Sequence, residues 1–183
     1  MLNQQIKDNS ISVIISTMDD RIGSIVDLVS HEKIKYIVVH QVSSGFTLNN
    51  ASTLKVKNYL NRKDVLYIYT SELGLSKSRN IGLDNCITKY AHILDDDVKV
   101  NDINNLISLT CDFDKYDAHV LISRVITDEG SLFKSYPHNS YKYNTLSCVS
   151  VSSIEMAVDV EFLRLHKLKF DERFCLGTSL PAV

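Results

Sequence analysis

Two periods alternate along the first half of the chain. Ile11-Ser12-Val13-Ile14-Ile15-Ser16 is a short, nearly continuous β-branched run that reads as a buried strand. Ile22, Ile25, Val26 and Val29 then recur at i, i+3, i+4 and i+7, the spacing of one helical face. Tyr36-Ile37-Val38-Val39 predicts the next strand, Ser43 to Asn50 a loop, and Ala51 to Leu60 a second helix. Val65-Leu66-Tyr67-Ile68-Tyr69 predicts a third strand. Lys77 to Lys89 predicts a helix with Leu83, Ile87 and Tyr90 on one side, and Tyr90-Ala91-His92-Ile93-Leu94 a fourth strand. The order is β-α-β-α-β-α-β over residues 11–95. Crossovers of that length imply parallel strands with helices on both faces. Strands covered on both faces are apolar throughout instead of alternating. Ala118 to Ser123 and Val151 to Val158 predict further strands that extend the sheet.

In such a sheet ligands bind outside the carboxyl ends of the strands. Strand one ends in Thr17-Met18-Asp19-Asp20-Arg21, strand two in His40-Gln41-Val42-Ser43-Ser44-Gly45, strand three in Thr70-Ser71-Glu72, and strand four in Asp95-Asp96-Asp97. Four separate segments thus bring polar, mostly acidic groups to one edge.

The aspartate triplet carries the sharpest chemistry. Adjacent carboxylates repel one another unless a cation lies near. In an extended segment alternate side chains point the same way, so Asp95 and Asp97 are expected to face one side together. Hard oxygen ligands of this kind suit Mg²⁺ or Mn²⁺, with phosphate oxygens and water completing the shell. The bland alternative is a solvated turn, with Asp97 or Asp102 capping the next helix. Upstream, Gly74-Leu75-Ser76-Lys77-Ser78-Arg79-Asn80 opens the third helix, with Ser76 as the expected N-cap. Free N–H groups at a helix start favour an anion, and Arg79 can grip a phosphate or stack on a base. An ordinary capped helix with solvated basic residues is the alternative.

These runs resemble family 2 glycosyltransferases of the GT-A fold. The resemblance rests on Gly74 to Leu83 (the family's Gly-x-Ser/Ala-x-Ala/Ser-Arg-Asn-x-Gly) and on Tyr90 to Asp97, a strand closing in Leu-Asp-x-Asp. Ile11 to Thr17 is similar to the family's first strand, and Phe170-Asp171-Glu172-Arg173-Phe174-Cys175-Leu176-Gly177 to its Phe-Asp-Glu-x-Phe-Gly-Leu-Gly segment. The likeness runs over about residues 10–180. It implies a Rossmann-like three-layer α/β/α sandwich with a mostly parallel sheet. It also implies one domain, with residues 1–97 as the nucleotide-sugar half and 98–183 as an acceptor-side half. The implied reaction is inverting transfer from a nucleoside-diphosphate sugar to an acceptor hydroxyl, saccharide or lipid-linked, in bacterial surface polysaccharide assembly. Thr17, Asp19, Arg21, His40, Gln41, Ser76, Arg79, Asp95 and Asp96 would surround the nucleotide sugar, and Asp95 and Asp97 would hold Mn²⁺ or Mg²⁺ on the diphosphate.

Two departures stand out. Where the family commonly has an acidic pair after strand two, this chain has His40-Gln41. Either could bond to a nucleobase edge, or His40 could simply close the strand. The family's general base comes from an acidic motif after the Gly-Leu-Gly region, but here only Thr178 to Val183 follow. A shortened acceptor half, mobile at its end, is therefore expected to bind donor and transfer sugar poorly. Glu155, Asp159 and Glu161 are the remaining candidate bases, against a reading of all three as strand and helix surface. Tyr136 to Asn144 is polar and aromatic, a surface loop or a platform on which tyrosines stack against sugar.

Composition narrows the field. Lys plus Arg is 20 and Asp plus Glu 22, a net charge of −2 that gives no basic surface for nucleic acid. At 44% hydrophobic and 23% charged, the chain is an ordinary globular domain. No apolar run approaches the ~20 residues of a membrane span, and the first residues lack the apolar stretch of a signal peptide. A cytoplasmic protein, associated at most peripherally with the inner face of the membrane, is expected. The four cysteines are widely spaced, without a Cys-x-x-Cys, and are expected to be free buried thiols. A receiver-type signalling module would need a phosphoacceptor aspartate after strand three, where Tyr69-Thr70-Ser71 stands. A nucleotide-sugar-binding module without catalysis remains as the alternative.

Overall fold

A computed structural model describes residues 10–173. Its elements are β1 (Ile11–Met18), a 3-10 turn (Asp19–Ser24), β2 (Ile34–Gln41), α1 (Asn50–Leu60), β3 (Val65–Thr70), α2 (Leu75–Asp84) and β4 (Tyr90–Asp95). They continue with α3 (Ile103–Tyr116), β5 (Val120–Ile122), β6 (Met156–Asp159) and α4 (Val160–Leu165). The sheet order is β3-β2-β1-β4-β6-β5. The β1–β2, β2–β3 and β1–β4 pairs are parallel, and β6 runs antiparallel to both of its neighbours. This is the expected three-layer sandwich. Alternation along β1 sorts the core: Ile11, Val13 and Ile15 pack toward α1 and α3 with Tyr59, Leu106 and Phe113, while Ile14 joins Leu83 and Val160 on the other face. A Cβ on Gly82 of α2 would sit 2.3 Å from Ile14 Cγ2, so only glycine lets this helix lie so close to β1.

The helix expected across Ile22 to Val29 does not form. A 3-10 turn buries Ile22 and Ile25, and the chain then leaves helical geometry with Val26 and Val29 exposed. Distant donors take the carbonyls that an α-helix would use internally: Arg62 donates to Leu28 O at 2.8 Å and the Tyr36 hydroxyl to Val29 O at 2.8 Å. Helix α2 also stops short of Lys89, at Asp84. Arg164 there donates to the carbonyls of Leu83 at 2.8 Å and Cys86 at 2.6 Å. Asp102 caps α3 by accepting from Asn104 N at 2.9 Å, as the bland reading of that turn allows. Of the cysteines, Cys86 is buried and free as expected, but Cys111 and Cys148 are free and exposed; Cys175 lies outside the described residues. Among the described residues no helix is long and apolar enough to cross a membrane.

Candidate functional site

Strand register assembles the site. Ser16 lies level with Asp95, Thr17 with His40, and Gln41 with both Met18 and Thr70, so the carboxyl ends of β1, β2, β3 and β4 share one edge. Helix α2 starts at the same edge. Its N-cap is Gly74, not Ser76: φ of +133° there is a backbone state that favours glycine, and Ser76 is buried in the first turn.

Asp95 and Asp97 keep exposed surface and Asp96 is buried, although the three enter a turn. The chain turns after Asp95, where Val98 N donates to the Asp95 carbonyl at 3.2 Å, so the period of an extended strand ends at that residue. Asp96 is buried. It accepts from Thr17 Oγ1 at 2.8 Å and from Arg21 Nε at 3.0 Å, with Arg21 Nη2 as a further donor. Arg21 Nη2 also reaches the exposed Asp97 at 3.3 Å. Asp95 accepts from Arg79 Nη2 at 3.0 Å. The hydrogen bond and charge of Asp96 push the Arg21 guanidinium further up from its ordinary value. Arg79 is buried, with Phe170 packed 5.7 Å from its guanidinium carbon. Next to it, Asn80 accepts from Phe170 N at 2.9 Å and donates to Phe170 O at 2.9 Å and Glu172 Oε1 at 2.8 Å. The Arg-Asn pair and the Phe-Asp-Glu segment are thus two halves of one contact. Residues Phe174 to Gly177 and the chain end lie outside the described residues.

His40 and Gln41 are both buried. His40 Nε2 meets the Asp19 carbonyl at 2.8 Å and Nδ1 meets the Tyr67 hydroxyl at 2.8 Å. Gln41 donates to the carbonyls of Glu72 at 2.6 Å and Gly74 at 3.1 Å, tying β2 to the approach to α2. Asp19 sits at φ +49°, and its carboxylate accepts from Ser43 N and Ser43 Oγ, each at 2.8 Å.

The candidate bases separate by position. Asp159 pairs in register with Tyr90, at the far edge of the sheet, and caps α4 by accepting from Phe162 N at 3.0 Å. Glu161 follows in the first turn of that helix, at the same far edge. Glu155 precedes β6 on the near side but has no exposed surface. Its carboxylate accepts from Lys134 Nζ, the Tyr136 hydroxyl and Ser152 N, each at 2.6 Å. Burial pushes Glu155 up, and those three donors outweigh it, so the carboxyl ends below its usual range. Tyr136 is pushed up to about 12, by burial and by that carboxylate. Glu155 therefore knots the β5–β6 excursion together, while Tyr141 and Tyr143 stack on each other at 4.5 Å farther along it.

Among the described residues no three His, Cys, Asp or Glu side chains gather as a ready metal cage. Mg²⁺ needs only one or two carboxylates when substrate phosphates supply the rest. Asp95, partly exposed, and Asp97, exposed, fit that requirement, and Asp96 is turned inward. The signal that sequence reasoning passed over is Asp96 joined to Thr17 and Arg21. All three were candidates, but nothing in their spacing marks them as one internal post.

The sequence matches the model of glycosyl transferase family 2 over residues 12–179. No curated protein matches it significantly. Among solved structures, S. aureus TarS 1-349 aligns with a TM-score of 0.64 at 16% identity, over 89% of this chain and 50% of that one. The same protein in complex with UDP-GlcNAc aligns at 0.62 and 16%, over 90% and 49%. A mannosyltransferase from Pyrobaculum calidifontis, in complex with GDP-Man and Mn2+, aligns at 0.53 and 13%, over 85% and 46%. The chain spans about half the length of these structures.

Proposed function

The chain belongs to glycosyl transferase family 2, and from that premise we propose that it moves a sugar from a nucleoside-diphosphate sugar to an acceptor hydroxyl. The observation that carries this reading is the contact of Arg79, at the opening of α2, with Asp95, at the end of β4. It brings a phosphate-gripping guanidinium and a metal-competent carboxylate to one point of the sheet edge. In this reading residues 1–97 form the donor half and 98–183 the acceptor half. Thr17, Asp19, Arg21, Ser76, Arg79 and Asp95 line the donor, Asp96 positions Arg21 from behind, and Asp95 and Asp97 hold Mn²⁺ or Mg²⁺. The bound ion supplies stabilisation of the diphosphate leaving group, whose charge grows in the transition state. Arg21 and Arg79 add fixed positive charge on the same group. The structural relatives were solved with UDP, UDP-GlcNAc or GDP-Man, which supports a nucleotide-sugar donor here. Inversion at the sugar carbon, a saccharide or lipid-linked acceptor, a setting in bacterial surface polysaccharide assembly at the cytoplasmic face of the membrane, and a carboxylate base complete the proposal.

A donor-binding module without transfer is the second reading. The placement of Asp159 and Glu161 at the far edge and the burial of Glu155 favour it.

The test is a thermal-shift and calorimetry series with UDP, GDP and their sugars, with Mn²⁺ and with EDTA. A ligand of the native state at 100 times its Kd adds about 2.7 kcal/mol of stability. Arg79→Ala should weaken nucleotide binding by roughly 1.5–3 kcal/mol, the scale of a hydrogen bond to a charged group. Full affinity in that variant, or no stabilisation by any diphosphate, refutes the donor site. Release of sugar to acceptor or water then separates the enzyme from the binding module.

A further inference from the structure

Every carboxylate of the triplet is matched by an arginine. Arg79 holds Asp95 at 3.0 Å, and Arg21 holds both Asp96 and, at 3.3 Å, Asp97. Three adjacent carboxylates need countercharge, and in this chain two guanidinium groups provide it. The two grips differ. Arg21 is anchored through both Nε and Nη2 on Asp96, whose side chain is only 4% exposed, while its own side chain is 61% exposed, so the longer 3.3 Å contact of Nη2 with Asp97 can open without the anchor breaking. The Arg79 side chain is 9% exposed, and its buried Nε has no hydrogen-bond partner among the described residues. A buried N–H without an acceptor is rare, and this one belongs to a guanidinium already bonded to Asp95.

We propose that Arg21 and Arg79 are resident counter-ions of the triplet that compete with the divalent cation, so that metal and nucleoside diphosphate bind cooperatively. The diphosphate, richer in charge and in acceptors, draws the guanidinium donors off Asp97 and Asp95, and the two freed carboxylates take the metal. Asp96 keeps its hold on Arg21 throughout and acts as a positioning residue. The inference rests on the metal–diphosphate reading above and adds to it an order of events. Metal alone meets carboxylates that are already neutralised, and diphosphate alone must separate ion pairs with no cation to replace them. The coupling is reciprocal, so UDP tightens Mn²⁺ by the same factor as Mn²⁺ tightens UDP.

Mn²⁺ binding, followed by calorimetry and by the electron-spin signal of free Mn²⁺, tests this with and without saturating UDP or GDP. The wild-type chain should bind Mn²⁺ at least about tenfold more tightly with nucleotide, within the usual ~5–150-fold span of such couplings. Arg79→Gln frees Asp95 and Arg21→Gln frees Asp97, and each variant should bind Mn²⁺ alone severalfold more tightly than wild type, with a smaller gain from nucleotide. Arg21→Gln leaves buried Asp96 without its cation, so Arg79→Gln carries the test if that variant does not fold. No tightening of Mn²⁺ alone in a folded variant overturns the counter-ion role and leaves the metal–diphosphate reading standing, whereas equal wild-type affinity for Mn²⁺ with and without nucleotide overturns both. No Mn²⁺ binding under any condition overturns both.

Discussion

Tyr67 donates its hydroxyl hydrogen to Nδ1 of His40 across 2.8 Å, and this bond fixes the chemistry of the second strand's end. The opposite nitrogen, Nε2, faces the Asp19 carbonyl at 2.8 Å, which can only accept. Nε2 therefore carries the proton and Nδ1 the lone pair. Burial lowers the pKa of His40, against the opposing pull of the Asp19 carbonyl, and keeps the ring neutral. Burial likewise pushes Tyr67 up to about 12, so its proton stays in place. With both nitrogens used inside the protein, the imidazole braces Asp19, a residue held at φ +49°.

The first prediction follows. His40→Gln should weaken UDP and GDP together, through a loosened Asp19–Ser43 contact, and leave their ratio unchanged. Competition binding of the two nucleotides measures this. A shifted ratio would put the imidazole on the nucleobase.

Glu155 carries the second. Removing one partner of a buried ion pair costs roughly 3–5 kcal/mol, so Glu155→Ala should be severely destabilised. Glu155→Gln keeps an acceptor for Lys134 or Ser152 but points an N–H at the Tyr136 hydroxyl, which already accepts from Val125 N at 3.1 Å. Urea unfolding should show a loss of about 1–2 kcal/mol for that change. Because the folded pKa lies below the unfolded one, the Glu155 contribution is present at neutral pH and fades as pH falls through the folded value. A general base lost to Gln would instead cost ~10²–10⁴ in rate with stability intact. A stable but inactive Glu155→Gln would restore Glu155 to the reaction.

The fold was legible because its signals are local. Short β-branched runs such as Ile11 to Ile15, bounded by polar segments, favour strands covered on both faces, and crossovers long enough for a helix favour parallel pairing. The edge where Thr17, Arg79 and Asp95 meet follows from that topology alone. The Ile22–Val29 segment departs from its helical period for reasons outside it: Tyr36, seven positions on, claims the Val29 carbonyl and Arg62, 34 positions on, that of Leu28, and no period within the segment records either donor. The pairing of arginines with aspartates was hidden in the same way. Arg21 and Asp96 lie 75 positions apart, and only the completed sheet brings them together. The clip of Asn80 on Phe170 and Glu172 joins two motifs that sequence reading could place in order but not in contact.

The last prediction concerns His92, in the middle of β4. It is buried, with Nδ1 near the Ile93 carbonyl at 3.2 Å, and in register it lies beside Val13 on β1 and Ala157 on β6. Burial in this apolar setting disfavours the imidazolium and lowers the pKa to about 4. In the unfolded chain the ring titrates near its ordinary ~6.5. Above that pH both states are neutral and the histidine costs nothing. As pH falls the unfolded chain takes up a proton first, so stability declines until the folded ring also protonates near pH 4. At about 1.4 kcal/mol per pH unit between the two values, the loss attributable to His92 is roughly 3 kcal/mol. His92→Val, a β-branched residue suited to a strand with both faces covered, should abolish that share. Urea unfolding of wild type and variant at pH 7 and pH 4.5 measures it. The drop between the two pH values should be smaller in the variant by about 2–3 kcal/mol. An equal drop in both proteins would show that His92 does not carry the acid sensitivity.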